Sequence, residues 1–122
     1  MQRIWLAIGS AFGLTTVAMA AYQAHGLADA SAAVRAGVSN AVLMQGLHAI
    51  VLLFLALWVE RGGLAARLAG VAITFGVIAF CGTVYAGAIP ALAALHYGPL
   101  APIGGTTLML GWLLLLISAL RR

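Results

Sequence analysis

Apolar residues fall in long runs along the chain, and polar residues collect in short breaks between them. The apolar excess is not confined to alternating positions, so these runs face lipid rather than a soluble core. Four runs predict four helices, at about residues 4–24, 38–59, 68–89 and 103–120. At a rise of about 1.5 Å per residue, each is long enough to cross a hydrocarbon core of roughly 30 Å. The expected fold is all-α: a polytopic membrane protein forming one domain over 1–122, an antiparallel bundle of four transmembrane helices with short connections.

The breaks carry their own signals. After the first run come His25, Gly26, Leu27, Ala28, Asp29, Ala30 and Ser31, leading to Arg35, the most polar stretch of the chain. Asp29 is suited to capping a short interfacial helix whose small apolar face rests on the membrane. Glu60-Arg61-Gly62-Gly63 predicts a tight turn after the second run. Pro90 stops the third, because proline cannot continue the helical hydrogen bonding. The next linker, through His96, Tyr97, Gly98, Pro99 and Pro102, reads as an ordered turn. Arg3, an apolar run and Ala18-Met19-Ala20 also suggest a secretory signal with a small-x-small cleavage site. The run stays apolar beyond a usual signal core, which favours a membrane helix.

Composition agrees with the pattern. Of 122 residues, 65% are hydrophobic and 7% charged, against roughly 25% charged in a soluble domain, too few for a water-facing shell. The net charge of +4 does not indicate nucleic acid, because the arginines are scattered between apolar runs instead of gathered on one face. They act as topology signals. Arg3, Arg61, Arg67, Arg121 and Arg122 fall on one side of the membrane and only Arg35 on the other, which predicts cytoplasmic N- and C-termini in a cell (inner) membrane. The single Cys81 excludes an internal disulfide and a cysteine metal cluster.

Lipid supplies no hydrophobic drive for helix association, so small residues and a few hydrogen bonds must provide it. Gly9 with Gly13, Ala72 with Gly76 and Gly82 with Ala86 are small pairs four apart, and Gly104 and Gly105 open the fourth helix. The plainer alternative is that glycine and alanine are simply abundant here.

Polar side chains at membrane depth are either structural hydrogen bonds or functional sites. Gln45 and His48 lie three apart on one helical face, with His48 roughly 15 Å deep. His25, Tyr85 and Thr106 fall in the same outer half, as do Thr83 and Thr107. One reading is an outward-opening polar pocket of His25, Gln45, His48, Tyr85 and Thr106 that holds a small molecule, an ion, a lipid or a quinone headgroup. The other is that these groups bond neighbouring helices. No catalytic residue, metal site or cofactor is expected. There is no Ser-His-Asp set, paired carboxylates or phosphate loop, the histidines match no ligand spacing, and the spans lack the charges of a transporter.

Four segments together resemble one known family over nearly the whole chain: Ala24-His25-Gly26-Leu27; Gln45 with His48; Phe80-Cys81-Gly82-Thr83-Val84-Tyr85; and Pro102-Ile103-Gly104-Gly105 running to Gly111-Trp112. They are similar to the YgdD-like family of small membrane proteins, a domain of unknown function that includes animal transmembrane protein 256. Where members commonly show Gly-Ala-Phe-Gly before the Ala-His-Gly-Leu, this chain has Ala21-Tyr22-Gln23. Met44 stands where tyrosine is frequent, and Cys81 where serine is usual. The resemblance implies a four-helix membrane protein of a family without an established activity. The expected role is therefore non-enzymatic: an accessory or assembly subunit of a membrane complex, or a homo-oligomer, with the lipid bilayer as its surroundings.

Overall fold

A computed structural model describes residues 1–121. It is built of helices: α1 (Gln2–Gly26), a 57-residue helical segment Ala32–Ala88, a 3-10 turn Pro90–Leu95, and a last helix Leu100–Leu120. Three of these segments, Gln2–Gly26, Ala32–Ala88 and Leu100–Leu120, are long and apolar enough to cross a membrane. The middle one, drawn straight, would run roughly 85 Å, far beyond a bilayer. It does not run straight, because Gly63 takes φ 60, ψ −148, a region open essentially to glycine alone. The segment is thereby broken into α2 (32–62) and α3 (64–88), which fold back on each other, and the last helix becomes α4.

The ends differ from the sequence expectation in physical detail. No separate interfacial helix follows α1. Residues 27–31 form a turn, and Ser31, not Asp29, caps the next helix by accepting from the Val34 N–H at 3.2 Å. The helix then runs unbroken into α2, so Arg35 sits in its opening turns, donating to the Ala28 carbonyl at 3.1 Å. The shorter Ser side chain closes a cap one step before the helix-forming Ala32-Ala33, and α2 begins six positions earlier than Val38. Likewise α4 begins at Leu100, since Pro102 within its first turn sacrifices no helical hydrogen bond.

Contact order fixes how the helices lie. Gly9 packs on Ala49, Leu52 and Leu53, while Thr16 meets Gly46, so α1 and α2 run in opposite senses. Cys81 bonds Ala41 and Val84 nears Gly37, giving the same relation for α2 and α3. Gly104 meets Gly76 and Phe80, and Gly111 meets Ile73, giving it again for α3 and α4. Most of the buried side chains, among them Val38, Leu52, Leu55, Val59 and Ile73, belong to α2 and α3. Among the described residues α1 and α4 flank this central pair without approaching each other. The central pair α2 and α3 thus separates α1 from α4.

This layout gathers the starts of α1 and α3, through Trp5 on Gly70, and the ends of α2 and α4, through Trp58 and Ser118. Arg3, Arg61, Arg67 and Arg121 therefore share one end of the molecule and Arg35 lies at the other. Arg122, counted with the first group, lies outside the described residues.

Candidate functional site

Gln45 and His48 are both buried on α2, but they do not converge. At 100° per residue, positions three apart diverge by roughly 60° around a helix, and here that angle separates two neighbours. Gln45 turns to α1, where its Nε2 donates to the Phe12 carbonyl at 3.0 Å and to the Thr15 hydroxyl. His48 turns to α4, where the Trp112 indole N–H donates to its Nε2 at 3.0 Å and the rings meet edge to face at 6.0 Å.

The protonation pattern of His48 follows from its partners. An indole N–H can only donate, so Nε2 must accept; Nδ1 then carries the hydrogen and donates to the Met44 carbonyl at 2.6 Å. Both ring nitrogens of a neutral imidazole are consumed. Neither has a lone pair or proton left for a metal or a substrate unless a helix contact first breaks.

The other candidates are dispersed. His25 is exposed in the last turn of α1. Thr106 is exposed and returns its hydroxyl to the Pro102 and Ile103 carbonyls of its own helix. Tyr85 is half-buried, and its hydroxyl is buried with no hydrogen-bond partner among the described residues. A groove of about 320 Å³ does open near this end, lined by Val34, Gly37, Val84, Gly87, Ala88 and His96. None of the five polar candidates lines it. Among the described residues no three His, Cys, Asp or Glu side chains gather into a metal-holding group.

The small residues divide as well. Gly9, Gly76 and Gly104 sit where a Cβ would strike a neighbouring helix; at Gly76, Leu108 would be 2.8 Å away. Gly13 and Gly82 face open space, and Gly105 has only Phe80 at 4.0 Å.

Sequence reasoning missed the partners. Trp112 is the donor to His48, Trp58 donates to Ser118 at 3.1 Å, and Thr83 receives the linker between α3 and α4. The Thr83 hydroxyl donates to the Tyr97 carbonyl at 2.9 Å and accepts the Tyr97 N–H at 3.0 Å, while His96 Nδ1 donates to the Thr83 carbonyl at 2.8 Å. The available signal was chemical: tryptophan and threonine in apolar helices carry a polar atom that must find a partner.

The family described as Protein of unknown function (DUF423) matches residues 19–105. A UPF0382 membrane protein of Haemophilus influenzae is 31% identical, over 93% of this chain and 90% of its own length. A UPF0382 membrane protein of Staphylococcus epidermidis is 28% identical over 98% of both chains. The UPF0382 inner membrane protein YgdD of Escherichia coli is 28% identical over 98% of this chain and 92% of its own. No solved structure matches the chain.

Proposed function

This chain belongs to the DUF423 family of membrane proteins of unknown function, and from that premise we propose that it is a four-pass bundle with cytoplasmic termini that acts, without catalysis, through its outer helix faces. Its role is that of an accessory or assembly subunit of a larger membrane complex, or of a homo-oligomer. The carrying observation is that Gln45 and His48, the two buried polar candidates of α2, are each committed to another helix, Gln45 to α1 and His48 to α4. Much of the apolar surface faces outward. Of the 25 residues of α1, only Trp5 and Gly9 are buried, and Gly13 on α1 and Gly82 on α3 offer flat positions that no helix of this chain uses. Close approach at small residues is how membrane helices associate. The clustering of Arg3, Arg61, Arg67 and Arg121 at one end supports the orientation.

Extraction in mild detergent and native mass spectrometry test this reading. A defined oligomer or a stoichiometric partner is expected, and Gly13→Leu or Gly82→Leu should abolish it without lowering the melting temperature. A lone monomer counts against the proposal.

A second reading, an outward-facing site for a small molecule, ion, lipid or quinone, keeps one observation in its favour, the unpartnered Tyr85 hydroxyl. It expects His48→Ala or Tyr85→Phe to abolish a bound species while the fold stays intact. Unfolding of the His48 variant with no ligand lost would exclude that role for His48.

A further inference from the structure

We propose that the groove between α1 and α3, at the arginine-rich end, seats one anionic glycerophospholipid. The groove is lined by Ile4, Trp5 and Ile8 from α1 and by Val71, Thr74, Phe75 and Ile78 from α3, and encloses about 320 Å³. Its walls are apolar apart from two groups. The Trp5 indole, 3% exposed, lies against Gly70 at a spot where even a Cβ would be 2.7 Å from the ring. Its N–H and the Thr74 hydroxyl are both buried, and neither has a hydrogen-bond partner among the described residues.

Two orphaned polar groups on one apolar groove need an explanation, because each unpaired group away from water costs about 1–3 kcal/mol. An acceptor with free lone pairs would satisfy them. Neither group reaches an acceptor among the described residues, and a lipid brings ester carbonyls with free lone pairs.

Charge selects the headgroup. Arg67, exposed, stands four residues before Val71, seven before Thr74 and eleven before Ile78, one stripe along the face of α3. Gly70, under the indole, is three residues below it, or about 4.5 Å along the axis. From this end inward the protein offers a guanidinium, then N–H and O–H donors, then an apolar channel. A glycerophospholipid presents phosphate, ester carbonyls and acyl chain in the same order. Entry takes a rotamer shift of Ile4 and Phe75, each 52% exposed at the rim, which is fast side-chain motion.

The test uses the full chain in nanodiscs of equal parts phosphatidylglycerol and phosphatidylcholine, released by stepwise activation in native mass spectrometry. The wild type is expected to keep one phosphatidylglycerol in preference to phosphatidylcholine. Trp5→Phe, which keeps the ring and removes the N–H, should lower that retention about fivefold, the loss of one hydrogen bond. Arg67→Gln, an exposed change that leaves the fold alone, should remove the headgroup preference by a similar about fivefold factor. Arg3→Gln, on a different groove lined by Gln2, Leu6 and Leu53, should leave both unchanged. Equal retention in wild type, Trp5→Phe and Arg67→Gln overturns the proposal. So does an equal loss with Arg3→Gln, or a lipid-free dimer in which a second copy fills the groove. A monomer that keeps its phosphatidylglycerol would sustain this site while defeating the association proposed above.

Discussion

Replacing Trp112 by phenylalanine isolates the hydrogen bond that ties α4 to His48. The aromatic edge contact at 6.0 Å is largely kept, and only the indole N–H at 3.0 Å from Nε2 is lost. His48 is 1% exposed, so the stranded lone pair finds no water, and an unsatisfied buried group costs about 1–3 kcal/mol. Interhelical hydrogen bonds inside membranes average about 0.6 and reach about 1.7 kcal/mol. An expected loss of about 1–1.7 kcal/mol for Trp112→Phe lies where these ranges overlap. His48→Leu fills most of the volume and strands the indole N–H instead. The double variant leaves nothing stranded, so it should be less destabilised than the sum of the singles, with a coupling of about 0.6–1.7 kcal/mol. Reversible unfolding in mixed micelles by titrated dodecyl sulfate, followed by circular dichroism, measures all four corners. Additivity within about 0.3 kcal/mol would refute the assignment of His48 as a helix tie.

Gly63→Ala should destabilise by about 1–3 kcal/mol, because φ 60 with ψ −148 admits no Cβ without strain; an unchanged midpoint in the same titration would contradict the hinge. Gly104→Ala should lose about 1–3 kcal/mol through overpacking, since the new methyl meets the Phe80 backbone and side chain. Gly82→Ala, facing open space, should change stability by less than about 1 kcal/mol. Cys81→Ser should be tolerated within about 1 kcal/mol, as a hydroxyl can donate to the Ala41 carbonyl that the thiol now reaches at 3.3 Å. The wild-type thiol, 2% exposed, should resist maleimide in intact membranes and react after denaturation.

The candidate site was legible in part. Depth can be counted along a helix, so position in the run is enough to mark Gln45 and His48 as deep polar residues, and both are buried. Their shared face was misleading. A face of roughly 60° is narrow on one helix yet wide enough to aim one residue at α1 and the other at α4, so two residues that look like one site serve two different helices. The four-residue glycine spacings were ambiguous for a related reason: Gly9 meets α2 while Gly13 faces open space.

Helix existence and membrane residence were determined by the sequence alone, because the hydrophobicity of a run and its length against a bilayer are local properties needing no partner. The arginine placement is equally local, and from it comes the expected orientation. Tertiary structure decided what depends on who lies next to whom. The separation of α1 from α4 by the central pair, the use of Trp112 as the donor to His48, the role of Thr83 as the anchor of the α3–α4 linker and the stranded N–H of Trp5 all depend on interhelical register and rotation. In lipid those are set by close packing and a handful of hydrogen bonds between residues far apart in the chain, and a one-dimensional pattern carries no record of such pairs.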